Sequence, residues 1–217
     1  MNQYEQGSQE WLDARKGRFT SSEIYRLMTD PRTKAAKEAG ELSEGAKTYC
    51  FEKACAMAFG WEQPFDGNAA TEHGNEWEPV ALKHYEDMQE FTTVERTGFI
   101  PYGDNTGGSL DAIEDGKRII EVKCPHNQLN FYKFVADGEY PKQYYYQMQH
   151  LMAITGTKEA RLVYFLPDLV AQAKSPIYWL DVQIDEELVA DMMQRIERAA
   201  KYRDEVIEDL NNKLGRV

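Results

Sequence analysis

The 217-residue sequence predicts one α/β (α+β) domain over residues 1–217, in which a central mixed β-sheet is flanked by helices. Three observations lead to this prediction. Patterns typical of helices come first, followed by a hairpin-rich segment, two helices, two strands and a closing helix. A hydrophobic content of 42% is enough for a buried core. No internal repeat or low-complexity linker divides the chain.

The first part of the chain predicts three helices. TSSE at 20–23 matches a capping box in which Thr20 opens a short helix that ends before Pro31. Residues 31–45 lack periodicity and predict a mobile loop, whereas 46–59 predict a helix that ends at Gly60. The third helix is NEWEPVALKHYEDMQEF, with Pro79 in its first turn. Its apolar face comprises Trp77, Val80, Ala81, His84, Tyr85 and Met88.

The rest of the chain predicts a sheet with further helices. Residues 93–101, 107–113 and 117–124 predict three antiparallel strands, the last two joined around EDGK. NQLNFYKFVADG and PKQYYYQMQHLMAITG predict two helices, each ending at a glycine. ARLVYFL and PIYWLDVQI predict two more strands, and 185–213 predict a long closing helix.

Composition narrows the classes of function. Cys50, Cys55 and Cys124 lack CxxC spacing, which predicts reduced thiols and not a disulfide framework or a zinc site. No apolar run approaches the ~20 residues of a membrane helix, and the polar start lacks the apolar stretch of a signal peptide. We therefore expect a cytoplasmic protein with no membrane partner. The net charge of −12 argues against a surface that is basic all over, as nucleic-acid-coating proteins have.

The segment GGSLDAIEDGKRIIEVKCP, residues 107–125, carries charges in what otherwise looks like a buried hairpin. Strand alternation puts Glu121 and Lys123 on one face, and a three-residue loop with a left-handed Gly116 would bring Asp111 to that face. Two close carboxylates raise each other's pKa, and a Mg²⁺ or Mn²⁺ ion with oxygen ligands at about 2.1 Å would relieve the repulsion. For the hairpin alone, a solvated sheet face is the simpler interpretation.

Four blocks of the sequence favour a metal site over a solvated sheet face. The D-x9-E-V-K spacing of 111–123 resembles the motif of the PD-(D/E)XK nuclease superfamily. WLDARKGRFTSSEI resembles the W-x3-R-x-G-x-x-T-x-S-E opening of its lambda-exonuclease (viral recombinase) branch, and EVKCP resembles that branch's E-x-K-C-P segment. EHGNEWEPVALKHY and YYYQMQHLMAITG resemble its G-x-x-x-E-x-x-A and Q-x-Q helices. The blocks follow the family's order from residue 11 to about 156, so the resemblance implies a restriction-endonuclease-like core.

Position by position, the resemblance implies a metal site and a catalytic group. Asp111 and Glu121 correspond to metal ligands, Val122 lends its carbonyl oxygen, and Glu78 completes the site directly or through water. Lys123 corresponds to the catalytic lysine that polarises the scissile phosphate or assists the attacking water. For Glu78, a position at the helix surface remains an alternative.

The Q-x-Q helix adds Gln147, with Tyr144 a turn before it, as further catalytic residues. Core packing is the alternative for the tyrosines at 144–146. Arg15, Ser22 and Ser109 match the family's pocket for a terminal 5′ phosphate, which suits the planar, bidentate guanidinium of arginine. Thr20 is a fourth candidate for this pocket, although capping its helix explains it equally well.

The resemblance implies a Mg²⁺-dependent exonuclease that digests one strand of duplex DNA from its 5′-phosphorylated end. The 3′ overhangs that remain would serve recombination by single-strand annealing. It also implies two metal ions per site with Mn²⁺ as a substitute, a homotrimeric ring, a single-strand annealing protein as partner, and a phage or prophage gene acting in the bacterial cytoplasm. A ring needs positive charge only along its channel, so the acidic composition does not oppose this.

Two alternatives remain open. One is another superfamily member, either an endonuclease or a helicase-associated nuclease; three cysteines without the required spacing argue against the iron–sulfur cluster that many helicase-linked branches carry. The other belongs to a different class, a catalytically silent DNA-end-binding recombination module. The intact Asp111, Glu121 and Lys123 argue against silence.

Overall fold

The computed structural model describes residues 4, 8–61, 69–89, 92–172 and 174–215, which form two mixed sheets flanked by helices. The helices are α1 Gln9–Arg15, α2 Lys34–Glu38, α3 Glu44–Phe59, α4 Ala69–Met88, α5 Gln128–Asp137, α6 Lys142–Thr155 and α7 Glu186–Leu214, with 3-10 helices at Ser21–Arg26 and Pro167–Gln172. The strands are β1 Phe19–Thr20, β2 Val94–Arg96, β3 Phe99–Tyr102, β4 Thr106–Ser109, β5 Ala112–Glu114, β6 Arg118–Lys123, β7 Glu159–Phe165 and β8 Ile177–Gln183.

The larger sheet has the strand order β2-β5-β6-β7-β8. β6 pairs parallel with β7 over the whole length of β6, and the other neighbours pair antiparallel. This confirms the predicted mixed sheet. The smaller sheet, β1-β4-β3, joins the start of the chain to the middle, because β1 pairs parallel with β4. Within the described ranges, no helix is long and apolar enough to cross a membrane.

Strand β6 is buried on both faces of the larger sheet. Ile119 belongs to a core that includes Met148 and Leu151 of α6. Ile120 and Val122 point to the other face, into a core with residues of α4. A third core joins α3 and α7 around Phe19, Tyr49 and Met192. The charged side chains of β6 therefore lie on a strand that helices cover from both sides, which rules out the solvated sheet face.

The hairpin of β5 and β6 has the predicted connection. Residues 115–117 form a three-residue loop, and Gly116 has a φ of 65°. Asp115 also has a positive φ, 50°, a conformation that Asp tolerates better than most residues. Ala112 pairs with Ile120, so Asp111, the next residue outward, comes level with Glu121.

Two of the predicted strands are wrong in their extent. Residues 93–101 contain two short strands that belong to different sheets, β2 in the larger and β3 in the smaller. Residues 107–113 likewise divide into β4 and β5, with Leu110 and Asp111 between them. Around Leu110 the alternation of polar and apolar residues runs through the break, so the sequence pattern does not show that the chain changes sheets there.

The predicted helix at 75–91 starts earlier than expected. α4 begins at Ala69, so Pro79 lies inside the helix and not in its first turn. Val80 and Met88, predicted on the buried face, are 37% and 48% exposed, whereas Leu82 is 3% exposed. Residues 90 and 91 of the prediction lie outside the described residues.

The capping box at 20–23 is also wrong. Ser21–Arg26 is a 3-10 helix, and the side chain of Thr20 makes no capping hydrogen bond to it. The predicted mobile loop at 31–45 contains α2, which Thr33 caps through a bond from Ala36 N. The predicted ends of α3, α5 and α6 are confirmed, at the left-handed Gly60, Gly138 and Gly156 respectively. Strands β7 and β8 and the closing helix α7 are confirmed as well.

Gly108 of β4 gives a test of how tightly the smaller sheet packs. A Cβ at this position would lie 2.6 Å from Leu151 Cδ2 and 3.0 Å from Ser21 Cβ. Gly108→Ala should therefore destabilise the protein by about 1–3 kcal/mol, the usual cost of overpacking. Gly74→Ala is the control, because no atom of the described residues lies within 4 Å of its added methyl group, and it should stabilise α4 by up to ~1 kcal/mol. Urea denaturation of both variants measures this, and equal stabilities would contradict the packing.

Candidate active site

Glu121 is the most enclosed charged group of β6, with 1% of its surface exposed. Its Oε1 accepts two hydrogen bonds, from Lys123 Nζ at 2.5 Å and from Gln147 Nε2 of α6 at 2.6 Å. Its Oε2 is buried and has no hydrogen-bond partner among the residues that the structure describes. One carboxylate oxygen is therefore held firmly by a cation and an amide, while the other remains an unsatisfied acceptor.

Asp111 lies beside this carboxylate, as the hairpin predicted. Its Oδ2 accepts a hydrogen bond from the backbone N of Val122 at 2.6 Å. Burial raises the pKa of Asp111 well above its usual value, and the negative charges of Glu121 and Glu78 raise it further. We call Asp111, Glu121 and Lys123 the carboxylate centre.

Lys123 supplies the positive charge of this centre. Burial would lower its pKa, but the carboxylates of Glu121 and Asp111 outweigh burial and raise it above the usual value. Its Nζ also lies 4.8 Å from the ring centroid of Tyr144, within the range of a cation–π contact. Lys123 is therefore a permanently charged group, not a proton acceptor, near neutral pH.

Glu78 on α4 interacts with the centre through charge. Burial raises the pKa of Glu78; among the nearby charges, Lys123 lowers it and Glu121 raises it. The thiol of Cys124 has a pKa raised to about 12 by burial first and then by Glu78 and Asp111, so it stays protonated. Of the neighbouring groups, oxygen atoms and not sulfur are available as anionic ligands.

The donor set of the centre fits a small divalent cation. Across the described ranges, no three His, Cys, Asp or Glu side chains form a ready-made metal cluster. The Oε2 of Glu121 nevertheless has no hydrogen-bond partner among the described residues. Burial and the charges of Glu121 and Glu78 raise the pKa of Asp111 beside it, and a bound cation would favour the charged form of both carboxylates. Carboxylate oxygens of this kind suit Mg²⁺ or Mn²⁺.

The predicted phosphate residues lie on the smaller sheet and the elements beside it. The guanidinium of Arg15 stacks 4.1 Å from the ring centroid of Trp11, whose Nε1 donates to Ser109 Oγ at 3.0 Å. Trp11 thus joins Arg15 to Ser109. Ser22 is exposed in the 3-10 helix, and the Oγ1 of Thr20 is buried and has no hydrogen-bond partner within the described part of the chain. The resemblance assigns Arg15, Ser22, Ser109 and Thr20 to a terminal phosphate, and we call these four residues the phosphate site.

The sequence prediction missed Trp11, which contacts both Arg15 and Ser109. The prediction included no helix at 9–15, because this segment is short and polar. The available signal was the spacing of Trp11 and Arg15, since residues four apart meet on one face of a helix. The second glutamine of the Q-x-Q pair, Gln149, bonds Gln183 O and Asp185 N and so anchors α6 to the chain after β8.

The two carboxylates should respond oppositely to neutralisation when no divalent cation is present. Asp111→Asn removes a charge that its surroundings disfavour and can still accept the Val122 N–H, so it should raise the melting temperature. Glu121→Gln leaves the Lys123 ammonium without its bonded carboxylate. Breaking a buried pair costs about 3–5 kcal/mol, and we expect roughly 1–3 here because the Lys123 side chain is 23% exposed.

The pH dependence gives the sign of the Asp111 effect. A carboxyl with a raised folded pKa contributes stability below its unfolded pKa, and this contribution is lost as the pH rises through the folded value. The advantage of Asp111→Asn over the wild type should therefore grow as the pH rises above about 4, the ordinary pKa of an aspartate in the unfolded chain. Thermal melts in a chelator measure it. A destabilised Asp111→Asn, or an advantage that shrinks with pH, would contradict the electrostatics described for Asp111.

Comparison with known proteins places this chain in a family. Residues 10–158 match the YqaJ-like viral recombinase domain. The fold is similar to that of an alkaline exonuclease (LHK-Exo) from Laribacter hongkongensis, with a TM-score of 0.81, 24% identity, and coverage of 96% of this chain and 99% of that one.

It is also similar to a phage-related exonuclease from Haemophilus somnus 129PT, with a TM-score of 0.76, 27% identity, and coverage of 89% and 96% respectively. A search of curated proteins found no match. The structural similarities confirm the predicted nuclease fold. The family match extends over well more than half of the sequence, and the protein therefore belongs to the YqaJ-like viral recombinase family.

Proposed function

We propose that this protein is a divalent-metal-dependent exonuclease that digests one strand of linear duplex DNA from the 5′ end and leaves 3′ single-stranded overhangs. The observation that carries the proposal is the buried Glu121, held by Lys123 and Gln147 beside Asp111, in a chain of the viral recombinase family. Such an arrangement is costly for stability, and hydrolysis of a phosphodiester bond gives it a purpose.

Four groups would hold the metal in this proposal: the carboxylates of Asp111, Glu121 and Glu78, and the carbonyl oxygen of Val122. Mg²⁺ is the expected ion, Mn²⁺ a substitute, and two ions per site the expected number. A bound ion supplies positive charge to the scissile phosphate and lowers the pKa of the attacking water. The raised pKa of Asp111 means that ion binding and loss of its proton are coupled.

The chain's own residues orient the reacting groups. Gln147 and Lys123 fix one oxygen of Glu121, so its second oxygen keeps a constant direction. Lys123 has three N–H donors and keeps its charge, so it can also bind a phosphate oxygen. The ring of Tyr144 restricts where the Lys123 ammonium can lie. These contacts favour preorganised electrostatic stabilisation over proton transfer by lysine.

The phosphate site gives the proposed direction of digestion. Stacking on Trp11 orients the plane of the Arg15 guanidinium, a group that binds phosphate bidentately, and Ser22 and Ser109 add hydroxyl donors. The structure of LHK-Exo, 25% identical to this chain, has also been solved in complex with dAMP. A 5′-nucleoside monophosphate is what removal of single nucleotides from a 5′ end would release.

The remaining parts of the proposal concern assembly. We propose a homotrimeric ring around DNA, a single-strand annealing protein as partner, and a phage or prophage origin with action in the bacterial cytoplasm. The net charge of −12 is compatible with a ring whose exterior repels stray DNA. Sedimentation at micromolar concentration should show a species about three times the 25.1 kDa chain, and a monomer would contradict the ring.

Digestion of labelled DNA tests the function itself. In Mg²⁺, the wild type should shorten one strand of linear duplex from its 5′ end and leave closed circular duplex intact. Cutting of the circle would favour the endonuclease alternative, and binding of ends without digestion would favour the silent module. A chelator should stop the reaction, because the centre depends on an added cation.

Substitutions in the carboxylate centre should abolish digestion. Asp111→Asn, Glu121→Gln and Lys123→Ala should each lower the rate by orders of magnitude, since losing one preorganised charge contact costs about 3–4 kcal/mol. Asp115→Asn is the matched control on the same hairpin: its side chain is exposed, and Asn also accepts the left-handed backbone. Near-wild-type rates in any of the three variants would remove that residue from the site.

Arg15→Ala tests the phosphate site separately. The wild type should digest a 5′-phosphorylated end much faster than a 5′-hydroxyl end. A hydrogen bond to a charged group contributes ~1.5–3 kcal/mol, so Arg15→Ala should lose roughly one to two orders of magnitude on the phosphorylated end. Slow metal-dependent digestion should persist. Lys16→Ala, which removes a neighbouring positive charge, should keep the preference; an unchanged preference in Arg15→Ala would show that the site is misassigned.

A further inference from the structure

A buried histidine on α6, the helix that also carries Gln147, contacts the two elements on which Ser22 and Ser109 lie. His150 of α6 has no exposed surface, and its two ring nitrogens contact two hydroxyl groups on different elements. Nδ1 lies 2.7 Å from Ser21 Oγ in the 3-10 helix, and Nε2 lies 3.0 Å from Thr106 Oγ1 in β4.

The direction of each hydrogen bond follows from the partners. Thr106 Oγ1 donates its single proton to Phe19 O at 2.6 Å, so toward His150 it can only accept. His150 must therefore carry its proton on Nε2, which leaves Nδ1 as the acceptor of the Ser21 O–H. Burial lowers the pKa of His150 to about 3, in agreement with this neutral form. The result is one continuous hydrogen-bond chain. Ser21 donates to His150, His150 donates to Thr106, and Thr106 donates to Phe19 O.

This hydrogen-bond chain joins elements that carry residues of the phosphate site to the helix that contacts the carboxylate centre. Ser21 directly precedes Ser22, and Thr106 lies on the same short strand as Ser109. His150 comes one turn after Gln147, about 4.5 Å farther along α6, and Gln147 holds Glu121. The close contact of Gly108 with Ser21 and Leu151 packs the same three elements together.

We propose that His150 is a positioning residue that fixes the distance between the phosphate site and the carboxylate centre, and so determines which phosphodiester bond is cut. The inference rests on the proposed function and adds to it the residue that sets the length of the released product. With the end phosphate bound near Ser22 and Ser109, a fixed separation presents the first internal phosphodiester bond to Glu121 and Lys123. A shift of α6 against β4 would present another bond or none.

The fold should tolerate removal of the ring. Without His150, the Ser21 hydroxyl can turn to Gly107 O, which lies 3.4 Å away, and Thr106 keeps its bond to Phe19 O. His150→Phe preserves an aromatic ring but breaks both contacts of the chain. Thr106→Val removes the hydroxyl while keeping the shape of the side chain, and Thr106→Ser restores the hydroxyl. Met152→Val perturbs a buried residue of α6 that takes no part in the hydrogen-bond chain, and it serves as the packing control.

The experiment measures product length and end preference under single turnover. Duplexes carry a radiolabelled 5′ phosphate or an unlabelled 5′ hydroxyl, with Mg²⁺ present. The wild type should release labelled mononucleotide. His150→Phe and Thr106→Val should release a larger share of dinucleotide. Their preference for phosphorylated over hydroxyl ends should be about tenfold weaker, which corresponds to the loss of one hydrogen bond to a charged group. Thr106→Ser and Met152→Val should keep the wild-type ratio and product.

The possible outcomes separate the inference from the function beneath it. A wild type that shows no metal-dependent digestion, or no preference for phosphorylated ends, overturns the proposed function and this inference together. A wild type that behaves as expected, with His150→Phe folded and unchanged in product length and end ratio, overturns the inference alone. If His150→Phe does not fold, Thr106→Val decides by the same criteria. A change in Met152→Val equal to that in His150→Phe would reduce His150 to a packing residue.

Discussion

The rest of the site depends on how one oxygen of Glu121 is held. Lys123, two residues along the same strand, and Gln147, from the helix packed over it, both donate to Oε1. These two bonds compensate for the burial of a carboxylate at a position with 1% exposure, and its second oxygen has no partner among the described residues. An anion this enclosed is a cost to folding, and its neighbour Asp111, with its raised pKa, increases that cost.

The scaffold explains why the arrangement is stable. β6 lies inside a five-stranded sheet, where β7 pairs with its whole length and β5 with its first half, Arg118 to Ile120. Helix α6 covers one face and supplies three successive contacts at helical spacing: Tyr144 to Lys123, Gln147 to Glu121, and His150 to Ser21 and Thr106. A single rigid helix thereby connects the carboxylate centre with the smaller sheet, which carries Ser109 and lies next to Arg15 of α1.

Much of this arrangement was predictable, and the failures have physical causes. The left-handed Gly116 and the alternation of β6 were enough to place Asp111 beside Glu121, and glycines marked the ends of α3, α5 and α6 correctly. The change of sheet at Leu110 leaves no mark on period-2 alternation, and Thr20 resembled an N-cap only because a 3-10 helix begins like an α-helix. The role of His150 depends on partners 129 and 44 residues away, which no local pattern encodes.

We propose that Asp111 and Glu121 form an oxygen site for a divalent cation. The most direct test is thermal melting of the wild type, Asp111→Asn and Glu121→Gln, each in a chelator and in Mg²⁺ at equal ionic strength. A ligand at ten times its Kd stabilises the folded state by about 1.4 kcal/mol. The wild type should melt at a clearly higher temperature in Mg²⁺, and both variants should gain much less. Equal gains in all three proteins, or no gain in the wild type with either Mg²⁺ or Mn²⁺, would contradict the assignment of this site.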